Sequence, residues 1–284
     1  MRPEKINKLP IEKTRKVVYL LIFLICMVAI GIALYYQYYK DEKLGVIFGI
    51  TDEQSEREEE LSELKANFNS IFDNTLSEKQ NVKYSKIDEE KDVIYDQYTN
   101  TEQNDNYTLD VNLPLININS NITDQYNKEI KSVFQKKAES IIAKNSSIHT
   151  IYTVKYKAYV INNILSLVIR SELKEGANSQ RVIIQTYNYN LTTDKEVKLS
   201  ELLDIKNISK FEANKQIKTE IEKKKEQNEQ LKELGYNMYI REYNSEIHDI
   251  ENTTEFFIDE EGNLYLVYAY GNNDYTSEID IVIF

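Results

Sequence analysis

The chain has 284 residues, with 47 Asp/Glu against 35 Lys/Arg, two His, one Cys, no Trp and a net charge of −12. That balance excludes a nucleic-acid surface, which needs clustered Lys/Arg, and a disulfide-stapled module, which needs paired cysteines. There is enough chain for one or two domains that bury a real core.

The first element is Val17 to Tyr36, VVYLLIFLICMVAIGIALYY, twenty residues without charge or proline. At 1.5 Å per residue such a helix spans roughly 30 Å, the thickness of a bilayer's hydrocarbon core. It is apolar all round, unlike a core helix with a polar stripe. A cleaved signal peptide is the alternative, with small residues at Ala29, Gly31 and Ala33. The run exceeds the usual signal length and ends in Tyr35, Tyr36, Tyr38 and Tyr39, which suit a membrane–water boundary. A retained transmembrane helix is the preferred reading, with Cys26 a small apolar filler inside it. Residues 1–16 carry six Lys/Arg against two Glu, a net +4, which places them in the cytoplasm by the positive-inside rule. The remainder, at −12 less that +4, carries −16 and faces outward. With no cysteine outside the membrane, the composition suits a bacterial surface protein.

Residues 37–81 read as a juxtamembrane helix and linker. Leu61, Leu64, Phe68, Ile71 and Phe72 have helical spacing, predicting a helix from Thr51 to about Leu76. The folded domain is expected to occupy 82–284. Val93–Tyr95 reads as a short strand and Thr99–Asn106 as loop. Residues 111–144 begin extended, with Pro114 holding Leu113 out of the helical region, then turn helical. Ile122, Tyr126, Ile130, Val133, Phe134, Ala138, Ile141 and Ile142 share one face, with Ser120 or Thr123 as cap. Tyr152, Val154, Tyr156, Ala158 and Val160 alternate as a strand, and Asn162-Asn163 suits a two-residue turn into Ile164–Arg170. Arg181–Leu191 and Glu196–Leu199 are further strands, and Ser200–Leu203 is one helical turn. Ser209 to Leu234 is a charged helix stopped by Gly235. Strands at Glu255–Ile258, Leu264–Tyr270 and Ile279–Phe284 close the chain. The fold class is α+β: a single N-terminal transmembrane helix, then a mostly antiparallel sheet with two main helices on one face.

Chemistry-bearing motifs are sparse. His149 and His248 are far apart, no zinc, nucleophile-elbow or phosphate-loop pattern occurs, and Asp259–Asn263 reads as a hairpin turn rather than a calcium loop. The pairs Asp88/Glu89 and Glu260/Glu261 have the residue types for glycoside hydrolysis, but in so acidic a chain they read as surface charge. Tyr187, Tyr189, Tyr265, Tyr268 and Tyr270 offer either an aromatic platform or, with period-two spacing, a set of which half faces the core. No catalytic, cofactor-binding or metal-ligating residue is assigned, and no ligand-binding residue can be singled out.

Three stretches carry a resemblance: LPLININSNITDQYNKEIKSVF, IIQTYNYNLTTDKEVKLSELL and FFIDEEGNLYLVYAYGNNDYTSEIDIVIF. Their order over 82–284 resembles the extracytoplasmic domain shared by RsiV-type anti-sigma factors and PdaC-type peptidoglycan deacetylases. The deacetylase relatives add a catalytic domain with metal-binding histidines, which this chain does not match. RsiV-type relatives add a cytoplasmic sigma-binding segment, for which 16 inner residues are short. The resemblance therefore implies a membrane-tethered, outward-facing recognition domain at the cell wall, without catalysis or cofactor. The expected partners are membrane lipid through 17–36 and a cationic protein such as lysozyme, or peptidoglycan. An anti-sigma-like protein regulated by proteolysis of its anchor is the alternative, and a wall-active hydrolase a second one.

Overall fold

A computed structural model describes residues 52–78, 82–144, 147–242, 244–271 and 277–284. The expectations for the basic tail, the transmembrane segment and Cys26 fall outside the described residues. No helix among the described residues is long and apolar enough to cross a membrane. The chain divides into two compact units, 1–64 and Lys65–Phe284.

The first described element is helix α1 (Asp52–Asn67), followed by a 3-10 turn at Phe68–Ser70. The expected continuation to Leu76 does not form. Phe68 and Phe72 are instead core anchors, stacked edge-on at 5.3 Å. The chain then turns at Asn74, whose φ is +60°, into β1 (Thr75–Glu78). Asn74 bonds both ways to the Tyr156 backbone, its N donating to the carbonyl and its Oδ1 accepting from the amide. The sheet thus includes a strand upstream of Val82.

β2 (Ile94–Gln103) and β3 (Tyr107–Ile116) form a hairpin, in place of the loop expected over Thr99–Asn106. β2 is an outer strand with few buried positions, so it lacks the apolar alternation that marks a strand in sequence. Its turn is made by Asn104, whose Oδ1 accepts from the amides of Asn106 and Tyr107.

Helix α2 (Asn121–Ile130) starts at Ser120, whose hydroxyl accepts from the Ile122 amide. The same hydroxyl donates to Asp194 at 2.5 Å, docking a distant turn on the helix cap. A π turn at Lys131–Gln135 joins α2 to α3 (Lys136–Ala143). The cause lies in the spacing. Ile122, Tyr126, Ile130, Phe134 and Ala138 recur every four residues, which outruns the 3.6-residue period. One wide turn restores their alignment and leaves Phe134 and Ala138 fully buried, whereas Val133 and Ile142 come out exposed.

β4 (Thr150–Ile161) and β5 (Ile164–Glu175) are joined through Asn162 and Asn163, with φ of +49° and +64°. This is the turn that the Asn-Asn pair predicts. β6 (Arg181–Asn190) and β7 (Lys195–Glu196) complete a seven-stranded sheet ordered β2-β3-β4-β5-β6-β7, with β1 alongside β4. Pairing is antiparallel except for β3 and β1, which both run parallel to β4. α2 and α3 cover one face over a core that includes Val111, Phe134, Val154 and Leu167.

The second half adds α4 (Leu199–Ile205), α5 (Lys210–Glu233), β8 (Phe256–Ile258), β9 (Leu264–Ala269) and β10 (Ile279–Ile283). Ser209 and Glu212 form a complete capping box on α5. Gly235, at φ +93°, ends the helix; its amide reaches the Lys232 carbonyl, and that of Tyr236 reaches Leu231. The terminal strands do not join the large sheet. They form a separate sheet, β10-β9-β8. This corrects the expectation of two helices on one face: α2–α3 pack on the large sheet, whereas α5 and α4 pack on the small one over Ile217, Leu202, Leu266 and Val282.

The two sheets meet through aromatics and a polar staple. Tyr159 stacks on Phe257 at 5.9 Å, and Phe257 on Tyr265 at 4.5 Å. Beside them Ser166 donates to Asn188 (2.6 Å), Asn188 donates to the Phe256 carbonyl (2.7 Å), and the Ile258 amide donates to Ser166 (3.3 Å). Each buried polar group is thereby paired, which avoids the penalty of an unmade bond.

Candidate binding cleft

The polar features divide into those consumed by the fold and those left facing a cleft. Tyr187, Tyr189, Tyr265, Tyr268 and Tyr270 are all buried, so none contributes to an exposed platform. Asp259 organises its turn, accepting from the amides of Glu261 and Asn263 and from the Tyr265 hydroxyl. Asp88 and Glu89 lie in a loop folded around Asn117, which bonds the Ile87 and Asp88 amides. His149 sits at Thr108 and Asp105, and His248 in the small-sheet half. Among the described residues no group of three or more His, Cys, Asp or Glu could hold a metal ion.

The densest buried cluster surrounds Arg241. Its guanidinium donates Nε and Nη2 to Asp280 at 2.7 and 2.8 Å, and Nη1 to Glu278 and to the Tyr239 carbonyl. Burial opposes its charge, but Asp280 and Glu278 outweigh that and raise its pKa. Tyr270 donates to Asp280 at 2.8 Å, and Asn228 of α5 donates to Glu278 at 2.9 Å. The cluster pins the irregular 236–242 segment to β10 and α5. His248 closes it, with Nδ1 3.2 Å from the Glu242 carbonyl and Nε2 3.1 Å from the Tyr270 hydroxyl. A carbonyl only accepts, so Nδ1 carries the hydrogen. Burial lowers the His248 pKa and keeps the ring neutral. Every member serves another member, as expected of a structural clamp.

A different arrangement occurs on the large sheet's second face. There a cleft of about 310 Å³ opens between the Phe68–Ser70 turn and strands β4 and β5. Asn69, Ser70 and Phe72 form one wall, Thr153 and Lys155 come from β4, and Arg170 and Glu172 from β5. Lys155 pairs across the ladder with Arg170, and Thr153 with Glu172. Lys155 also reaches Asp110 of β3 at 3.1 Å, and Arg170 is ion-paired to Glu172. The guanidinium lies 5.8 Å from the Phe72 ring centroid. Arg170 Nε is buried with no hydrogen-bond partner, and desolvation lowers the group's pKa.

The sequence singles out no residue of this cleft, although the register is available there. A two-residue turn at Asn162-Asn163 fixes which β4 and β5 residues oppose each other, and places Lys155 beside Arg170. The far wall is not available from sequence, because it depends on the chain leaving α1 at Asn67 instead of continuing as helix.

Fold and cleft together define a two-sheet α+β domain with a polar cleft on the uncovered part of its large sheet. The solved structures similar to it include two from one family. A DUF3298-family protein from Pseudomonas aeruginosa PAO1 has a TM-score of 0.35 at 8% identity, over 64% of this chain and 82% of its own. A member of the same family from Bacteroides fragilis NCTC 9343 has a TM-score of 0.30 at 14% identity, over 57% of this chain and 74% of its own. No protein-family model and no curated protein matches the sequence.

Proposed function

We propose that the chain is a membrane-anchored, extracytoplasmic binding or sensor protein at the bacterial cell wall, without catalytic activity. The observation that carries this reading is the cleft bounded by Lys155, Arg170, Glu172 and the Phe68–Ser70 turn. It brings charged and hydrogen-bonding groups to one open place where the ion pairs Lys155–Asp110 and Arg170–Glu172 stay partly exposed, whereas the clusters around Arg241 and Asp259 are buried. Anchoring rests on the apolar Val17–Tyr36 segment and its basic flank. The candidate ligands are lysozyme, drawn by the −16 remainder, and a wall component such as peptidoglycan. The resemblance of three stretches to the RsiV- and PdaC-type extracytoplasmic domain supports the same setting.

The test is binding of the full chain, in detergent, to lysozyme and to purified sacculi at low and high salt. Binding to either partner supports the reading, and salt-sensitive lysozyme binding points to electrostatic capture. A folded protein that binds neither overturns it.

A further inference from the structure

We infer that the outer edge of β2 is a docking site for an extended cationic polypeptide segment, which adds to the large sheet as a further strand. This surface is separate from the Lys155–Arg170 cleft. β2 ends the strand order of the large sheet and pairs with β3 alone. Asn104 donates its amide to the Tyr107 carbonyl, which makes that pair a bonded one. Bonded and non-bonded pairs alternate along an antiparallel ladder. Thr99, Thr101 and Gln103, opposite Asn112, Asp110 and Thr108, are therefore non-bonded positions whose N–H and C=O groups point outward. No backbone bond meets them among the described residues. The bulge at Gln97 lies outside this stretch and leaves Tyr98–Gln103 in continuous register.

The margins at β6, β8 and β10 are blocked. On β6 the Glu255 carboxylate accepts from the Thr186 amide at 2.7 Å, and β7 covers Tyr189 and Asn190. On β8 the Phe256 and Ile258 amides donate to the Thr186 and Ser166 hydroxyls. On β10 the Ile283 carbonyl accepts from Gln216 of α5. β2 has no such stopper among the described residues. Nor does it contain lysine or proline, which commonly guard an edge, although it is ten residues long. An open row of backbone donors and acceptors is a template for strand addition.

Charge selects the occupant. The hairpin from Ile94 to Ile116 carries Asp96, Glu102, Asp105 and Asp110 and no Lys or Arg. Asp110 is paired with Lys155, whereas the other three are exposed and carry no ion pair among the described residues. A strand added to β2 would lie about 4.8 Å away, so its side chains would stand beside these carboxylates. Lysine or arginine there gains opposite-charge pairs across the ladder. A second copy of β2 would bring the same acidic set against itself, which like charges oppose. Backbone bonds carry no side-chain preference, so extended form and positive charge define the partner.

The experiment titrates the full-length protein, in detergent at low salt, with an acetylated and amidated octapeptide of alternating Lys and Thr, followed by calorimetry. One control peptide has every backbone nitrogen methylated, which keeps the charge and removes the donors. A second replaces each Lys by Glu. The expected result is binding of the parent peptide, with both controls weaker by about tenfold or more. Thr101→Pro removes one outward amide and spares the β3 ladder, so it should weaken the parent peptide by about tenfold. Thr101→Lys keeps the amide but sets a cation on the edge, and should weaken it by about threefold. Thr193→Lys adds the same charge in the β6–β7 turn and should leave binding unchanged. Should Thr101→Pro fail to fold, Thr101→Lys decides the question. Absence of binding, equal binding of the methylated peptide, or an affinity indifferent to both Thr101 variants overturns the proposal. A concentration-dependent dimer that Thr101→Pro dissolves, read by sedimentation velocity, overturns it in favour of a second copy of this chain.

Discussion

Arg241 and Asp280 are 39 positions apart in sequence and meet in two parallel bonds of 2.7 and 2.8 Å, both side chains almost wholly buried. This fork joins a segment with no regular structure to the last strand. Glu278, Tyr270 and Asn228 complete it, so that each buried charge has an opposite charge and each polar atom a partner.

Breaking this pair from one side should be costly. Arg241→Ala leaves the Asp280 carboxylate buried without its counter-charge and should destabilise the domain by about 3–5 kcal/mol. Urea denaturation of variant and parent measures it. A loss under about 1 kcal/mol, the size of an ordinary surface pair, would mean that the 236–242 segment is not held by this cluster.

His248 makes stability depend on pH. Its folded pKa lies below the ordinary value of 6.5, because burial disfavours the charged ring. Above about pH 6.5 both folded and unfolded forms are neutral and the contribution is complete. Below it the unfolded chain binds the proton first, so stability declines as pH falls toward the folded pKa. Asp280, Arg241 and Asp249 also act on the ring. His248→Gln should flatten the dependence of the denaturation midpoint on pH below about 6.5 relative to the parent. Parallel curves for both proteins would refute the assignment.

The two sheets depend on one aromatic stack. Phe257 lies between Tyr159 and Tyr265 and is fully buried. Phe257→Ala should cost about 3–5 kcal/mol, through lost transfer free energy and the cavity left behind. Phe257→Leu should cost less than half as much. Equal costs for the two, read by thermal unfolding, would show that ring stacking rather than volume dominates.

The β4–β5 turn offers a backbone test. Asn163 sits at φ +64°, where asparagine is tolerated and a β-branched residue is strained. Asn163→Gly should be within about 0.5 kcal/mol of the parent, whereas Asn163→Val should lose about 1–2 kcal/mol. If the valine variant matches the glycine one in chemical denaturation, the turn is not the left-handed pair described.

The elements legible in the sequence are those whose own residues carry the signal. Tyr152, Val154, Tyr156, Ala158 and Val160 announce β4 because one side of that strand faces a core along its length, whereas the other side, up to Lys157, is exposed or half-buried. Ser209, Glu212 and Gly235 bound α5 through capping chemistry local to each end. β2 is illegible for the opposite reason. An outer strand of mostly polar residues is specified by the ladder it joins, with β3 supplying the bonds. The end of α1 departs from expectation because Leu61, Leu64 and Phe68 continue a helical repeat, while the aromatic packing of Phe68 and Phe72 outweighs that local preference. The tyrosines expected to divide between core and surface are all buried: Tyr187 and Tyr189 share the core side of β6, with Tyr187 against Tyr126 of α2, while Tyr265 stacks on Phe257 and Tyr268 and Tyr270 pack in the small-sheet core.

By itself the sequence determined the charge of the chain, its apolar N-terminal segment and the strand and helix periods of its longest elements. It also determined the β4–β5 register through two asparagines. These are properties of neighbouring residues, and short-range sterics and burial periodicity are enough to set them. Tertiary structure alone decided that the last three strands form a second sheet and that Arg241 meets Asp280. It also decided that the Phe68–Ser70 turn walls off the ground in front of Lys155 and Arg170. Those outcomes depend on which distant surfaces bury each other, and no local pattern encodes that choice.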